Sequence, residues 1–368
     1  MNPPSLPGPS PQTPPPPVIL GEPRRGGKRW SWIPWAIAGM SALIAMASFG
    51  ANSRYFQKSG QVEERWHSLS KDAPSRVAIV DVIGAIMGGS GFARQQLERI
   101  ADDESVKAIV LRVDSPGGTV SGSDEIHHRL AAIVKKRDLK VVVSMGSIAA
   151  SGGYYVAMAN GGGEDVIFAE PATLTGSIGV IIPHYDFSKA LRKIDIADDS
   201  ITSGPLKEML SPTKERAPEL AERERKVLQS LVDDMFARFK EIVREGRPKL
   251  DAAAVDAVAT GQVFTARQAQ AAGLVDRIGF LEDAVDRAVE LAGLTKETAR
   301  VVRYVRPRGV LDELLGLDLA ARSAGQPAGR TVADAFLSRS VLDAFVEWTT
   351  PRAWYLCSWW PALLSSGS

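Results

Sequence analysis

The chain has 368 residues, with 44 Lys and Arg against 43 Asp and Glu, 45% hydrophobic residues and a single cysteine. A net charge of +1 gives no electrostatic footprint for nucleic acid, and Cys357 alone excludes an intrachain disulfide framework or a multi-cysteine metal cluster. His67, His127, His128 and His184 lack the His-Glu-x-x-His spacing of a zinc peptidase, so no metal or cofactor is expected.

Composition changes sharply along the first 75 residues. Met1 to Gly21 is largely Pro and small polar residues, which bury too little apolar area to offset ordering, so residues 1–29 are expected to be a disordered tail. Trp30 to Ala51 carries no charge over roughly twenty residues, long enough for one transmembrane helix. Arg24, Arg25, Lys28 and Arg29 precede this run and a mixed set of charges follows it. The tail is therefore expected in the cytoplasm and the rest of the chain on the extracytoplasmic side of the inner membrane, with the lipid bilayer as a partner. Ala45-Met46-Ala47 also fits a signal-peptide cleavage site, and a buried helix is a third reading. The length of the run and the tryptophans Trp30, Trp32 and Trp35 beside the basic cluster favour the anchor.

Residues 52–75 read as a polar tether. Beyond Pro74 strands are expected over 76–83, 107–113 and 140–144, and helices over 91–103, 121–137 and 150–159. Short strands follow at 166–169 and 178–182, then a long charged helix at 214–246, helices at 265–274 and 280–293, and a last strand at 301–305. Continuous Val and Ile runs separated by helices imply an α/β core with a largely parallel sheet. The pattern weakens over 307–368, where Trp354, Tyr355, Trp359 and Trp360 suit either a membrane interface or a patch on the domain itself.

Three glycine-bearing turns follow strands, where a parallel sheet places its ligand crevice. In Asp114-Ser115-Pro116-Gly117-Gly118 the glycines allow close backbone approach and amides aimed at an oxyanion, although tight turns also use Gly-Gly for conformation alone; Asp114 reads as a brace of its turn rather than an acid. In Ala150-Ser151-Gly152-Gly153-Tyr154-Tyr155 the serine is either a nucleophile at a helix start, beside the Gly152 amide, or an ordinary N-cap. Thr175-Gly176-Ser177-Ile178-Gly179-Val180 is the third, followed by Ser203-Gly204-Pro205-Leu206-Lys207-Glu208.

Taken in order, these four motifs resemble the signal peptide peptidase A (protease IV) family of serine peptidases, over about Ser75 to Arg306. The resemblance implies a crotonase-like, Clp-protease-like spiral of β-β-α units as a peptidase domain over 76–306. It also implies Ser151 as nucleophile, Lys207 as general base, Ser177 as the serine orienting that lysine, and Gly117, Gly118 and Gly152 as the oxyanion region. It further implies residual signal peptides and other apolar peptides as substrates, and a ring-shaped homo-oligomer, an octamer, that can complete the dyad across subunits. Pro205-Leu206 and the insertion Gly161-Gly162-Gly163-Glu164 depart from the family pattern.

An ordinary lysine is a free base about once in two thousand at pH 7, so Lys207 needs desolvation, a shift of roughly three units costing about 4 kcal/mol. Glu208 must then face away from it. A Ser-His-Asp triad would need a histidine near Ser151, which has no Gly-x-Ser-x-Gly context; Ser68-Leu69-Ser70-Lys71 lies in the tether without buried surroundings. Two rival functions stay open: an acyl-thioester enzyme of the crotonase type, and a catalytically silent membrane scaffold of the same fold.

Overall fold

The computed structural model describes residues 62–88 and 91–306, together with the backbone of a strand at Trp354–Leu356. The span expected at 30–51 and most of the C-terminal extension lie outside the described residues; among those described, no helix is long and apolar enough to cross a membrane.

The sheet is mixed and its middle is parallel. Its strands are β1 (Glu63–Leu69), β2 (Ser75–Ile83), β3 (Val106–Ser115), β5 (Lys140–Ala150), β6 (Ile167–Ala169), β7 (Leu174–Gly176), β8 (Val263–Thr265), β9 (Arg277–Ile278) and β10 (Ala299–Val305), while β4 (Gly117–Thr119) leaves the end of β3 and pairs with β11 (Trp354–Leu356). The strand order is β1-β10-β2-β3-β5-β6-β9, with β1 antiparallel to β10 and every other neighbour on this path parallel. Consecutive residues Val77 to Val80 and Ala108 to Leu111 are all fully buried. Side chains alternate between the two faces of a strand, so both faces of the central sheet are covered, as the Val and Ile runs require.

The helices are α1 (Phe92–Ala101), α2 (Val120–Arg137), α3 (Gly152–Ala157), α4 (Ser188–Lys193), α5 (Pro218–Gly246), α6 (Ala252–Val258), α7 (Ala266–Ala271) and α8 (Leu281–Leu291). Thr119 caps α2 by accepting from the Gly122 amide, and Lys135, Lys136 and Arg137 lie in its last turn, where cations favour the helix dipole. Every residue of α3 is buried.

The structure corrects the reading at two places. Residues 63–69, expected within the tether, form β1: their sequence has no apolar alternation, and their strand comes from pairing with β10. No strand spans 178–182; the strand lies earlier, at 174–176, because Leu174–Gly176 is held by β5 on one side and by β8 on the other.

β5 carries the feature that matters most for the site. Its first half pairs with β6 through Val143–Met145, and its last three residues pair instead with β7 through Ile148–Ala150. The sheet forks at this point, leaving the ends of β5 and β7 side by side.

Candidate active site

Ser151 follows the last residue of β5 and precedes α3, with φ 54° and ψ −117°. A serine in this left-handed region costs of order 1–3 kcal/mol and persists only where the surroundings impose it. The imposing contact is a hydrogen bond from the Ser151 amide to the Gly176 carbonyl at 2.8 Å. Ser151 occupies the N-cap position of α3, but its side chain makes no capping hydrogen bond, so the hydroxyl is not spent on the helix, and the residue is 1% exposed. A strained serine on a strand-to-helix turn has the backbone geometry of a nucleophile turn, and here the residue is buried within the single chain.

Ser177 stands beside it. The register pairs Ala150 with Gly176, the last residues of β5 and β7, so Ser151 and Ser177 are the first residues past two neighbouring strand ends. Gly176 and Ser177 also have positive φ, 83° and 50°, and the Ser177 amide donates to the Gln262 carbonyl at 2.7 Å. A Cβ on Gly176 would lie 2.5 Å from the Phe264 ring, so glycine is required there for space as well as conformation.

Gly117 and Gly118 lie on β4, directly after the end of β3. The Ile86 amide donates to the Gly117 carbonyl at 2.9 Å and the Thr119 amide to the Ile86 carbonyl at 2.7 Å. Both flanking residues of β4 therefore bond toward Ile86, and alternation turns the amide of Gly118 to the opposite edge, where its register partner is Tyr355 of β11. A Cβ on Gly118 would fall 1.9 Å from the Ile86 carbonyl oxygen. Gly152 opens α3, so its amide has no intrahelical acceptor. A Cβ on Gly153 would lie 2.6 Å from the Ser115 carbonyl oxygen, which shows how tightly the start of α3 seats against the end of β3.

Lys207 lies in the turn of residues 205–210 and is exposed. Among the described residues its amine makes no hydrogen bond or ion pair, and the Ser151 hydroxyl makes none to lysine, histidine or any other side chain. The described part of one chain therefore does not supply the drying expected around Lys207. Glu208 is turned to Lys214, with Oε2 2.6 Å from Nζ, so the neighbouring carboxylate faces away from Lys207 as required. The segment before Lys207 exposes Ile181, Tyr185, Phe187, Ile194, Ile196 and Ile201, with Tyr185 and Phe187 stacked at 6.4 Å.

Among the described residues no histidine hydrogen-bonds to Ser151. His127 is buried edge-on against Tyr155 at 5.3 Å, and burial lowers its pKa to about 4. Tyr155 donates to Asp124 at 2.5 Å. His184 is also held below its ordinary value, first by burial and then by Arg216.

Three residues around β5 were not singled out as site residues from sequence. Thr173 donates to the Gly146 carbonyl at 2.6 Å, Thr175 donates to the Ala149 carbonyl at 2.6 Å, and Asp114 Oδ1 accepts from the Ile148 amide at 3.1 Å. Asp114, read from sequence as a brace of its own turn, instead ties β5 through the Ile148 amide, while the sequences around Thr173 and Thr175 carry no signal for their roles, which depend on strand register.

A family model described as peptidase family S49 matches residues 133–295. The "Putative protease slr0021" of Synechocystis sp. is 37% identical over 256 residues, covering 70% of this chain and 88% of that protein. The chain belongs to peptidase family S49. The "Putative signal peptide peptidase SppA" of Enterococcus faecium is 35% identical over 68% of this chain and 73% of its own length. Protease 4 of Haemophilus influenzae is 35% identical over 62% of this chain, but that match spans only 37% of the longer protein. As an S49 member, this chain is a serine-type peptidase.

Proposed function

We propose that this S49 peptidase is a membrane-anchored endopeptidase that uses Ser151 as nucleophile and Lys207 as general base to cleave residual signal peptides and other apolar segments. The observation that carries the reading is the strained backbone of Ser151, at the strand-to-helix turn between the Gly176 carbonyl and the Gly152 amide. In the reaction, neutral Lys207 accepts the Ser151 proton as Oγ bonds to the peptide carbonyl carbon. The carbonyl π electrons move onto the oxygen, which the amides of Gly118 and Gly152 stabilise. The oxyanion then reforms its carbonyl, the C–N bond breaks, and the proton on Lys207 passes to the leaving amine. Water, deprotonated by the same lysine, adds to the acyl carbonyl; the bond from Ser151 Oγ to the acyl carbon then breaks, the proton on Lys207 returns to Oγ, and the acid is released. Ser177, which follows the end of β7 as Ser151 follows the end of β5, orients the lysine.

Lys207 is exposed in the single chain and follows a run of exposed apolar residues, which supports completion of the dyad by a neighbouring copy in a ring, an octamer by family resemblance. Assembly would bury the apolar run and supply the dry surroundings that a neutral amine needs. The forked parallel sheet fits a crotonase-like spiral over 76–306. The charge-free run of 30–51, with its basic flank, supports an inner-membrane anchor, a cytoplasmic tail over 1–29 and a catalytic domain outside the cytoplasm.

The edge of β4 suits an extended substrate, because β11 already pairs there as an antiparallel strand from Trp354 to Leu356. Turnover of a panel of apolar peptides in detergent tests the reading: the wild type cleaves, and Ser151→Ala and Lys207→Ala each lose activity by at least a hundredfold. Cleavage that survives Ser151→Ala overturns it. Thioester turnover without peptide cleavage would point to the crotonase-type reading, and the absence of any turnover to a silent scaffold.

A further inference from the structure

The ladder between β3 and β5 contains an offset that sets where Ser151 stands. From Ala108 paired with Lys140 to Val113 paired with Met145 the two strands advance together. The next pair is Ser115 with Ala149, so β3 has moved two residues while β5 has moved four. Two extra residues of β5 are absorbed between Met145 and Ala149 as a bulge. Continued without it, the ladder would put Ala149 level with Gly117, and Ser151 beyond the glycine turn beside Thr119. With the bulge, the last ladder pair is Ser115 with Ala149, so counting two residues on along each chain brings Ser151 to the level of Gly117, at the start of the glycine turn. Two residues of strand correspond to roughly 7 Å, far more than an attacking oxygen and its oxyanion donors can tolerate.

We infer that Asp114 is a positioning residue for peptide cleavage, pinning this bulge and so holding the Ser151 hydroxyl in register with the Gly118 amide. Asp114 lies on β3 opposite the extra residues, and its Oδ1 accepts the Ile148 amide at 3.1 Å. Gly146 leaves room for the carboxylate, since a Cβ there would sit 2.9 Å from Asp114 Cγ and Oδ2. On the far side of β5, Thr173 holds the Gly146 carbonyl at 2.6 Å and Thr175 the Ala149 carbonyl at 2.6 Å. The bulge is thus tied on both flanks, and Asp114 is its tie to β3, the strand that runs directly into the oxyanion glycines of β4. The carboxylate acts by accepting a hydrogen bond and takes no proton from the substrate.

The inference rests on Ser151 being the nucleophile, and the test separates the two. A fluorophosphonate probe is reacted with the full chain in detergent, and the acylation rate of Ser151 per folded molecule is compared among variants alongside peptide turnover. Asp114→Ala is expected to slow acylation and kcat by ten- to a hundredfold with little change in KM. Asp114→Asn, which keeps an acceptor at Oδ1, is expected to stay within about threefold of wild type with an unchanged pH profile. Gly146→Ala should be as harmful as Asp114→Ala alone, yet cost less in the Asp114→Ala background, where the methyl group no longer meets the carboxylate and only the end of the flexible Arg112 side chain, 3.0 Å away, must shift. Equal acylation rates for wild type and Asp114→Ala, with only the melting temperature lowered, would overturn the inference and leave Ser151 in place. A pH limb lost in Asp114→Asn would also overturn it, by showing acid-base work at that carboxylate. Failure of the probe to label Ser151 in wild type would instead remove the nucleophile assignment itself.

Discussion

Glu208 Oε2 lies 2.6 Å from Lys214 Nζ, so the carboxylate next in sequence to Lys207 is committed to a different cation. Lys214 thereby protects the amine that the proposed chemistry needs uncharged. Lys214→Ala frees Glu208 to swing toward Lys207 and hold the proton there, because a nearby carboxylate favours the charged amine. The rising limb of kcat/KM against pH is expected to move to higher pH, and the double variant Lys214→Ala/Glu208→Gln to return it toward wild type. A pH–rate profile that does not move in Lys214→Ala would show that the pair has no bearing on the base.

Ser151 holds its left-handed backbone at a cost that glycine would not bear. Ser151→Gly is therefore expected to be inactive yet more stable than Ser151→Ala by about 1 kcal/mol in denaturant unfolding. Equal stability of the two would mean that the turn is unstrained.

His127 couples stability to acid. Its folded pKa of about 4 lies below the ordinary value of 6.5, so the unfolded chain binds the proton more readily. The contribution is fully present above pH 6.5 and is lost as pH falls toward 4, by about 3 kcal/mol. His127→Phe, which keeps a ring against Tyr155, should flatten the stability profile over that interval. An unchanged slope between pH 6.5 and 4 would contradict this account.

Gly118 tolerates no side chain, because the obstacle 1.9 Å away is the Ile86 carbonyl on the backbone. Gly118→Ala should displace β4 and lower kcat by at least a hundredfold, while Gly204→Ala, with open space around it, leaves activity near wild type.

β11 occupies the β4 edge that carries the Gly118 amide. Removing residues 354–368 is expected to lower KM for apolar peptides several-fold with kcat little changed, measured on detergent-solubilised protein. A KM that stays the same would mean that substrate does not use this edge.

Much of the sheet was legible in the sequence because β2, β3 and the first half of β5 are Val and Ile runs, and such runs specify buried parallel strands by composition alone. β1 was hidden, since Glu63–Leu69 has no apolar alternation and becomes a strand only through β10. The Ser151 turn was legible from Ala-Ser-Gly-Gly at the junction of strand and helix. Its register against Gly118 was not, because the offset at Gly146 exists only between β5 and β3, and no local pattern records it. The surroundings of Lys207 were not legible either: desolvation is a property of whatever covers the amine, and the turn of 205–210 leaves it exposed in one chain.

The central claim, that Ser151 and Lys207 act as one catalytic pair, is tested most directly by following fluorophosphonate acylation of Ser151 in the full chain with Lys207 intact, replaced by Ala, or replaced by Arg. The account predicts rapid labelling of wild type and a loss of a hundredfold or more in both variants, with partial recovery of peptide cleavage when Ser151→Ala and Lys207→Ala chains are co-assembled. Labelling of Ser151 at the wild-type rate in Lys207→Ala would contradict it.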